Sequence, residues 1–413
     1  LIEDDLGLQT VDMHGGCVVL RDKVLRDLDE VEREHGEQTR KNIDGFYTLM
    51  TELMPLEKYA NRWQPDNSHP WANDTFHDLL RATIKDDPVA VDYIEAAVHS
   101  DLATEPHTCN GLNAIKNVLM DNDKYMQVYH VVGGLSRIVS ALASKIRATF
   151  RLRTRVTAVE RDADSYELVQ RAGFDESYVK KGGQYILTYK GGKGSFDAVF
   201  LCVPNHWLTQ LDFKSERLDA AIHRIVAHYD LPAHYLRVTM LFIRPWWDEL
   251  NIHGDFFMLD RLNGCCVYNE SYRWRSQKGH ALSFLVAGQD ALLLCSSDQS
   301  DEDVVDYVLD CLPDCMRDAA HSFLIEAQVD RFVGSINAQP GGWPSKDLRE
   351  EHQPEPEEHP DLYIVGDYLF DSTLNAALFS ANTAVNILAE RLDVKNAKLT
   401  PAITALGGPE EPL

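Results

Sequence analysis

Near the carboxyl end, the run LYIVGDYLFDSTLNAALFSANTAVNIL (362–388) sets a short apolar strand, a Gly-Asp turn and a helix in succession. That order leaves the first helical N–H groups without intrahelical acceptors and puts the positive end of the helix dipole beside the turn. Leu374, Asn375 and Ala376 at the helix start therefore form a donor cluster suited to an electron-rich ring edge, and Asp367 is placed to accept from a ligand hydroxyl. Taken alone, Gly366 and Asp367 equally fit a plain turn and helix start, the commoner role of such a pair. A second group with chemistry to offer is Arg237, in YLRVTMLFI ahead of Trp246 and Trp247. A guanidinium stays protonated at working pH, so it can bind a carboxylate or orient water but cannot be a general base. Strand alternation sets Arg237 with Thr239 and Leu241, opposite Val238, Met240 and Phe242. The competing reading is an edge-strand arginine in solvent.

Other chemistries find little support. The eight cysteines, at 17, 109, 202, 265, 266, 295, 311 and 315, include no CxxC pair and no Cys/His spacing of a zinc site, so they read as free thiols in a reducing, cytoplasmic setting. With 65 acidic against 40 basic residues the net charge is -25, which repels a phosphate backbone and argues against nucleic-acid binding. The same field mildly favours a cationic substrate. No apolar run reaches the length of a membrane span, and the first residues (Leu1, Ile2, Glu3, Asp4, Asp5) form no signal peptide.

Elements able to position these groups follow from periodicity. Residues 23–125 predict four or five helices, with Thr75 as an N-cap before Phe76, Leu79 and Leu80, and Pro88 opening a helix after Asp87. Leu135, Ile138, Val139, Leu142 and Ile146 predict a helix with one buried face after Gly133 and Gly134. Strands are expected at 151–159, 184–190, 196–203, 235–243, 255–260 and 281–287. Ser300 and Asp303 mark a capped helix with Val304, Val305, Val308, Leu309 and Leu312 inward. The last helix is expected to bury Ala377, Leu378, Ala381, Ala384, Val385 and Leu388.

Three of these stretches, in order, resemble the flavin-containing amine oxidase family, which includes monoamine, polyamine and L-amino-acid oxidases. They are YHVVGGLSRIVSALASKI (129–146) with LRTRVTAV and FDAVFLCVPNHWL (196–208), then YLRVTMLFIRPWW (235–247), then the strand–turn–helix run at 362–388. The resemblance implies an FAD site in which the strand near Val156 holds the adenine and the strand ending at Pro204 lies beside the cofactor. It also implies that Gly366 and Asp367 meet the ribityl-diphosphate arm and that the last helix starts beneath the isoalloxazine. The implied reaction is hydride removal from a C–H beside nitrogen of a small amine or amino acid, with O2 as acceptor.

Departures from the family pattern carry information too. No GxGxxG occurs in the chain, although a loop of that kind normally cradles the diphosphate. The expectation is that a preceding segment or a partner chain supplies it. Trp343, in QPGGWP, stands where some members carry a flavin-linking cysteine, so FAD is expected to be noncovalent and Trp343 becomes a candidate pocket wall, with Tyr368 and Phe370 as weaker ones. Arg237 stands where a lysine near flavin N5 is usual. The reading is an α/β protein: a Rossmann-like FAD-binding domain lacking its first βαβ unit (125–212 and 356–393) interleaved with a mixed α+β substrate domain (1–124 helical, 213–355), and a tail at 394–413. Alternatives are a desaturase-like flavoenzyme and a noncatalytic flavin-fold subunit.

Overall fold

The computed structural model describes residues 1–60, 68–120, 122–162, 165–169, 177–181, 183–229, 231–273, 279–337, 351–370 and 372–392. They belong to two compact units, residues 1–148 with 232–343 and residues 149–231 with 344–413.

The first unit is organised by a seven-stranded sheet built from β2 (Gly15–Leu20), β3 (Lys23–Leu25), β12 (Pro232–Phe242), β13 (Phe256–Leu259), β14 (Cys265–Asn269), β15 (His280–Ala287) and β16 (Leu324–Asn337), in the order β16-β12-β15-β14-β13-β2-β3. Alternating side chains feed two cores. Cys17 and Val19 of β2 enter one, while Val18 and Leu20 enter the other, as a period of two requires. In β12, Leu236, Val238, Met240 and Phe242 are fully buried with Trp246 and Trp247, and Arg237, Thr239 and Leu241 are half-buried on the opposite face. The expected alternation is present. β12 is antiparallel to β15 and to β16, with Arg237 opposite Leu285 and Asp330. Arg237 is thus not on an edge strand.

Helices cover both faces. α9 (Gly288–Ser296), α10 (Asp301–Asp310) and α11 (Asp314–Phe323) pack on the Trp246 side. A full capping box between Ser300 and Asp303 starts α10, and Val304, Val305, Val308, Leu309 and Leu312 are buried. The other core lies under α1 (Leu28–His35), α2 (Glu37–Leu53), α3 (Leu56–Ala60), α4 (Phe76–Thr83), α5 (Pro88–Leu102) and α6 (Gly111–Met120). That is more than the expected four or five. Gly36, at φ 96, closes α1 and opens α2, a break that glycine allows at no steric cost. Thr75 caps α4, and Asp87 caps α5 with Pro88 in the first turn.

A strand pair of β1 (Thr10–Asp12) and β4 (Tyr129–Val131) leads into α7 (Ser136–Lys145). The expected buried face of this helix is corrected. Ile138 packs on Leu8 and Val131, but Leu135, Val139 and Ile146 are 60%, 68% and 52% exposed, because nothing among the described residues covers them.

The second unit holds a sheet of order β11-β5-β8-β9, from β5 (Val156–Arg161), β8 (Tyr185–Tyr189), β9 (Gly192–Phe196) and β11 (Asp212–Phe213). It also holds a hairpin of β6 (Ser165–Val169) and β7 (Ser177–Lys181), and a parallel pair of β10 (Val199–Leu201) and β17 (Leu362–Ile364). The single strand expected at 196–203 is divided, since Phe196 ends the hairpin strand β9 and Val199 begins β10. Among the described residues the unit also holds the helices α8 (Glu216–His228) and α12 (Leu374–Arg391). α12 buries Ala376, Ser380, Ala384 and Ile387, while Val385 is 43% exposed. Of the expected face, Ala384 is buried and Ala381 and Leu388 pack against the same cluster, Val385 is turned out, and the hydrogen-bonded Ser380 takes a core position that hydropathy would not assign to it.

Candidate functional site

β10 and β17 run parallel with Leu201 opposite Ile364, and Val365 N donates to Leu201 O at 3.1 Å. Pro204 and Gly366 therefore follow the carboxyl ends of two neighbouring parallel strands, where open α/β sheets place their ligands. Among the described residues no further strand pairs with either outer edge.

Gly366 has an extended backbone, φ −175, which any residue adopts. Its lack of a side chain matters for space, since a Cβ there would stand 2.1 Å from Tyr368 Cε1. Its N–H donates to Ser380 Oγ at 3.0 Å. Asp367 turns the chain: its Oδ1 accepts the Tyr368 N–H at 3.0 Å and its carbonyl accepts the Phe370 N–H at 2.9 Å. Thr373 then caps α12, its Oγ1 accepting the Ala376 N–H at 3.1 Å. Of the three expected donors, Ala376 is thus already engaged and fully buried. Leu374 and Asn375, both exposed, carry N–H groups outside the intrahelical ladder.

Tyr368 and Phe370 lie inside the unit. Tyr368 is 2% exposed, 6.0 Å from the Tyr229 ring, and burial raises both hydroxyls far above the ordinary tyrosine range. Its Oη has no partner among the described residues. Phe370 sits between the rings of His352, 5.7 Å, and Phe379, 4.7 Å. Val156 opens β5, half-buried and paired with Tyr189 beside a register shift. The two sheets are linked where Asp361 N donates to Tyr185 Oη at 3.3 Å, just before β17. Pro204 is exposed ahead of a 3-10 turn, Asn205–Gln210, fastened by Asn205 Nδ2 donating to Val226 O at 3.1 Å. All the cofactor-binding candidates accordingly fall in one unit.

Arg237 lies in the other unit. It is ion-paired with Glu270, with side chains 30% and 13% exposed, and its guanidinium is 5.6 Å over the Tyr268 ring. Glu270 and Tyr268 carry no sequence signal of this role, because only the β14–β15 pairing brings them near β12. His352 and Ser380 were equally silent, whereas Thr373 was legible as a hydroxyl residue just ahead of a helix. Trp343 lies outside the described residues. No helix of the described residues is long and apolar enough to cross a membrane.

These residues suit a flavin: exposed amides at a helix start, a carboxylate beside them and an orphaned tyrosine hydroxyl close by, all at the carboxyl ends of parallel strands. The chain belongs to the flavin-containing amine oxidoreductase family, whose model matches residues 3–389. Among solved structures, it resembles putrescine oxidase with putrescine bound (TM-score 0.66, 15% identity, 94% of this chain and 84% of that one). It also resembles cyclohexylamine oxidase from Brevibacterium oxydans (TM-score 0.67, 14% identity, 95% and 84%). At such identities the likeness is one of fold. No curated protein matches the chain.

Proposed function

We propose that the protein is an FAD-dependent oxidoreductase acting on a small amine, with O2 as electron acceptor and the FAD held noncovalently. The observation that carries this reading is the convergence of Pro204, Gly366, Asp367 and the start of α12 at the carboxyl ends of β10 and β17. FAD, when bound, supplies the hydride acceptor. The amides of Leu374 and Asn375 would face the negative edge of the ring, Asp367 would accept from the ribityl-diphosphate arm, and β5 near Val156 would hold the adenine. The chain contains no GxGxxG, and on this reading the diphosphate would be held by a loop that these residues do not supply. The outer edges of the β10–β17 pair, unpaired among the described residues, offer a place for a strand bearing such a loop.

On the substrate side the reading assigns Arg237 and, by resemblance, Trp343. Arg237 is already paired with Glu270, so a substrate carboxylate would have to displace that partner. The pair therefore favours an amine without a carboxylate over an amino acid, and the acidic net charge of -25 favours a cation's approach. Discrimination is direct: the protein, supplied with FAD and the loop-bearing segment, is mixed anaerobically with simple diamines, monoamines and amino acids. Bleaching of the flavin by an amine and its recovery in air are expected. A protein that stays colourless at saturating FAD, or whose flavin no amine reduces, would overturn the proposal.

A further inference from the structure

In the second unit, a buried histidine reaches the candidate cofactor turn through one hydroxyl. His352 and Ser380 are both 0% exposed, and His352 Nε2 lies 3.0 Å from Ser380 Oγ, which also accepts the Gly366 N–H at 3.0 Å. We infer that His352 is a positioning residue that, through Ser380, holds the Gly366–Asp367 turn in the shape that presents Asp367 and the first amides of α12 to the flavin; this rests on the functional reading above.

Three physical points support the assignment. The β17 ladder ends when Val365 N donates to Leu201 O, so the next amide, the part-buried Gly366 N–H, takes an acceptor of another kind. Ser380 supplies it from the second turn of α12, while Thr373 closes the same loop at the helix start. A helical serine otherwise tends to turn its hydroxyl back to the carbonyl four residues earlier. An acceptor at His352 Nε2 draws that proton away and fixes the oxygen where Gly366 can use it. A hydroxyl has one proton and two lone pairs, so Ser380 can accept the Gly366 N–H while donating to an imidazole whose proton is on Nδ1, the tautomer this inference assigns to His352. The ring is held by Phe370, which is held in turn by Phe379. The histidine thus ties the segment before β17 to the turn after it.

The test compares His352→Phe, His352→Gln and Ser380→Ala in the full chain. Amide exchange of the peptide 362–370 is measured without flavin, and flavin affinity and visible circular dichroism are measured with the loop-bearing segment supplied. His352→Phe and Ser380→Ala should speed exchange about tenfold, the loss of roughly one net hydrogen bond, and weaken flavin binding by a similar factor. His352→Gln, which can still accept at the Nε2 position, should restore both. Exchange unchanged in His352→Phe, a Gln variant no better than Phe, or faster exchange with unaltered flavin affinity and spectrum would each overturn the inference. Should His352→Phe not fold, His352→Asn, whose amide is too short to reach the Nε2 position, decides the same question. Wild-type protein that takes up no flavin would sink the functional reading, while the flavin-free exchange comparison still decides whether the lock exists.

Discussion

Arg237 and Glu270 form an ion pair on the half-buried face of β12, with the arginine also stacked over Tyr268. Neither charge is free. The guanidinium is a fixed, partly desolvated donor rather than a solvated strand arginine, and its position is set by a carboxylate that follows β14.

Replacing Arg237 by Met in the flavin-loaded protein should lower the rate of flavin reduction or reoxidation about 100-fold, as loss of one preorganised donor typically does. Folding should survive. Stopped-flow measurement of the two half-reactions checks this, and unchanged rates for both would overturn the proposed substrate-side role of Arg237.

Glu270→Gln releases the same guanidinium. If the pair excludes substrate carboxylates, this variant should lower KM for amino acids relative to the matching simple amines, whereas the wild-type preference runs the other way. A ratio of kcat/KM values identical in the two proteins would show that Arg237 does not face the substrate.

The buried carboxylate Glu105 should contribute to acid sensitivity. Burial pushes Glu105 upward, but the hydrogen bond from His99 Nε2 (3.1 Å) and the Gln289 amide (2.8 Å) outweigh it, leaving the carboxyl below its ordinary value of 4.5. A lowered folded value means that the stabilisation is complete above pH 4.5 and is lost as pH falls below it through the folded value. Glu105→Gln should therefore be less stable than wild type at neutral pH, by about 1 to 3 kcal/mol. The gap should close on acidification. Urea midpoints at pH 7 and at successively lower pH would test this, and a gap independent of pH would contradict it.

The eight cysteines are free thiols of unequal exposure. Cys202 and Cys315 are exposed, while burial pushes Cys17 and Cys109 up to about 12 and Cys265 higher still. A chromogenic disulfide reagent should modify Cys202 and Cys315 quickly in native protein and reach Cys17, Cys109 and Cys265 only after unfolding. Mass mapping that finds Cys109 labelled early would contradict the packing of α6.

Flavin in the assembled protein should leave with acid. On the proposed reading Trp343 would stand where covalent members carry a cysteine, so precipitation should release all colour into the supernatant. Colour retained by the pellet would identify another residue as a covalent link.

What could be read along the chain was whatever depends on neighbours a few residues away. The alternation of β12 placed Arg237 opposite Val238 and Met240, Ser300 and Asp303 announced their helix, and the strand, Gly366 turn and α12 stood in plain order at 362–388. The division into strands, turns and caps follows from local sterics and side-chain period, and so is written locally. Tertiary structure alone decided the partners. Glu270 neutralises Arg237 only because β14 and β12 flank β15 in one sheet, and Pro204 joins Gly366 only because β10 pairs with β17. Ser380, polar in sequence, faces inward because Gly366 and His352 satisfy it there, and Leu135 and Val139, apolar in sequence, face outward where no described residue covers them. A side chain's burial and charge state are set by which distant groups desolvate it and bond to it, and those groups are chosen by the whole chain's packing.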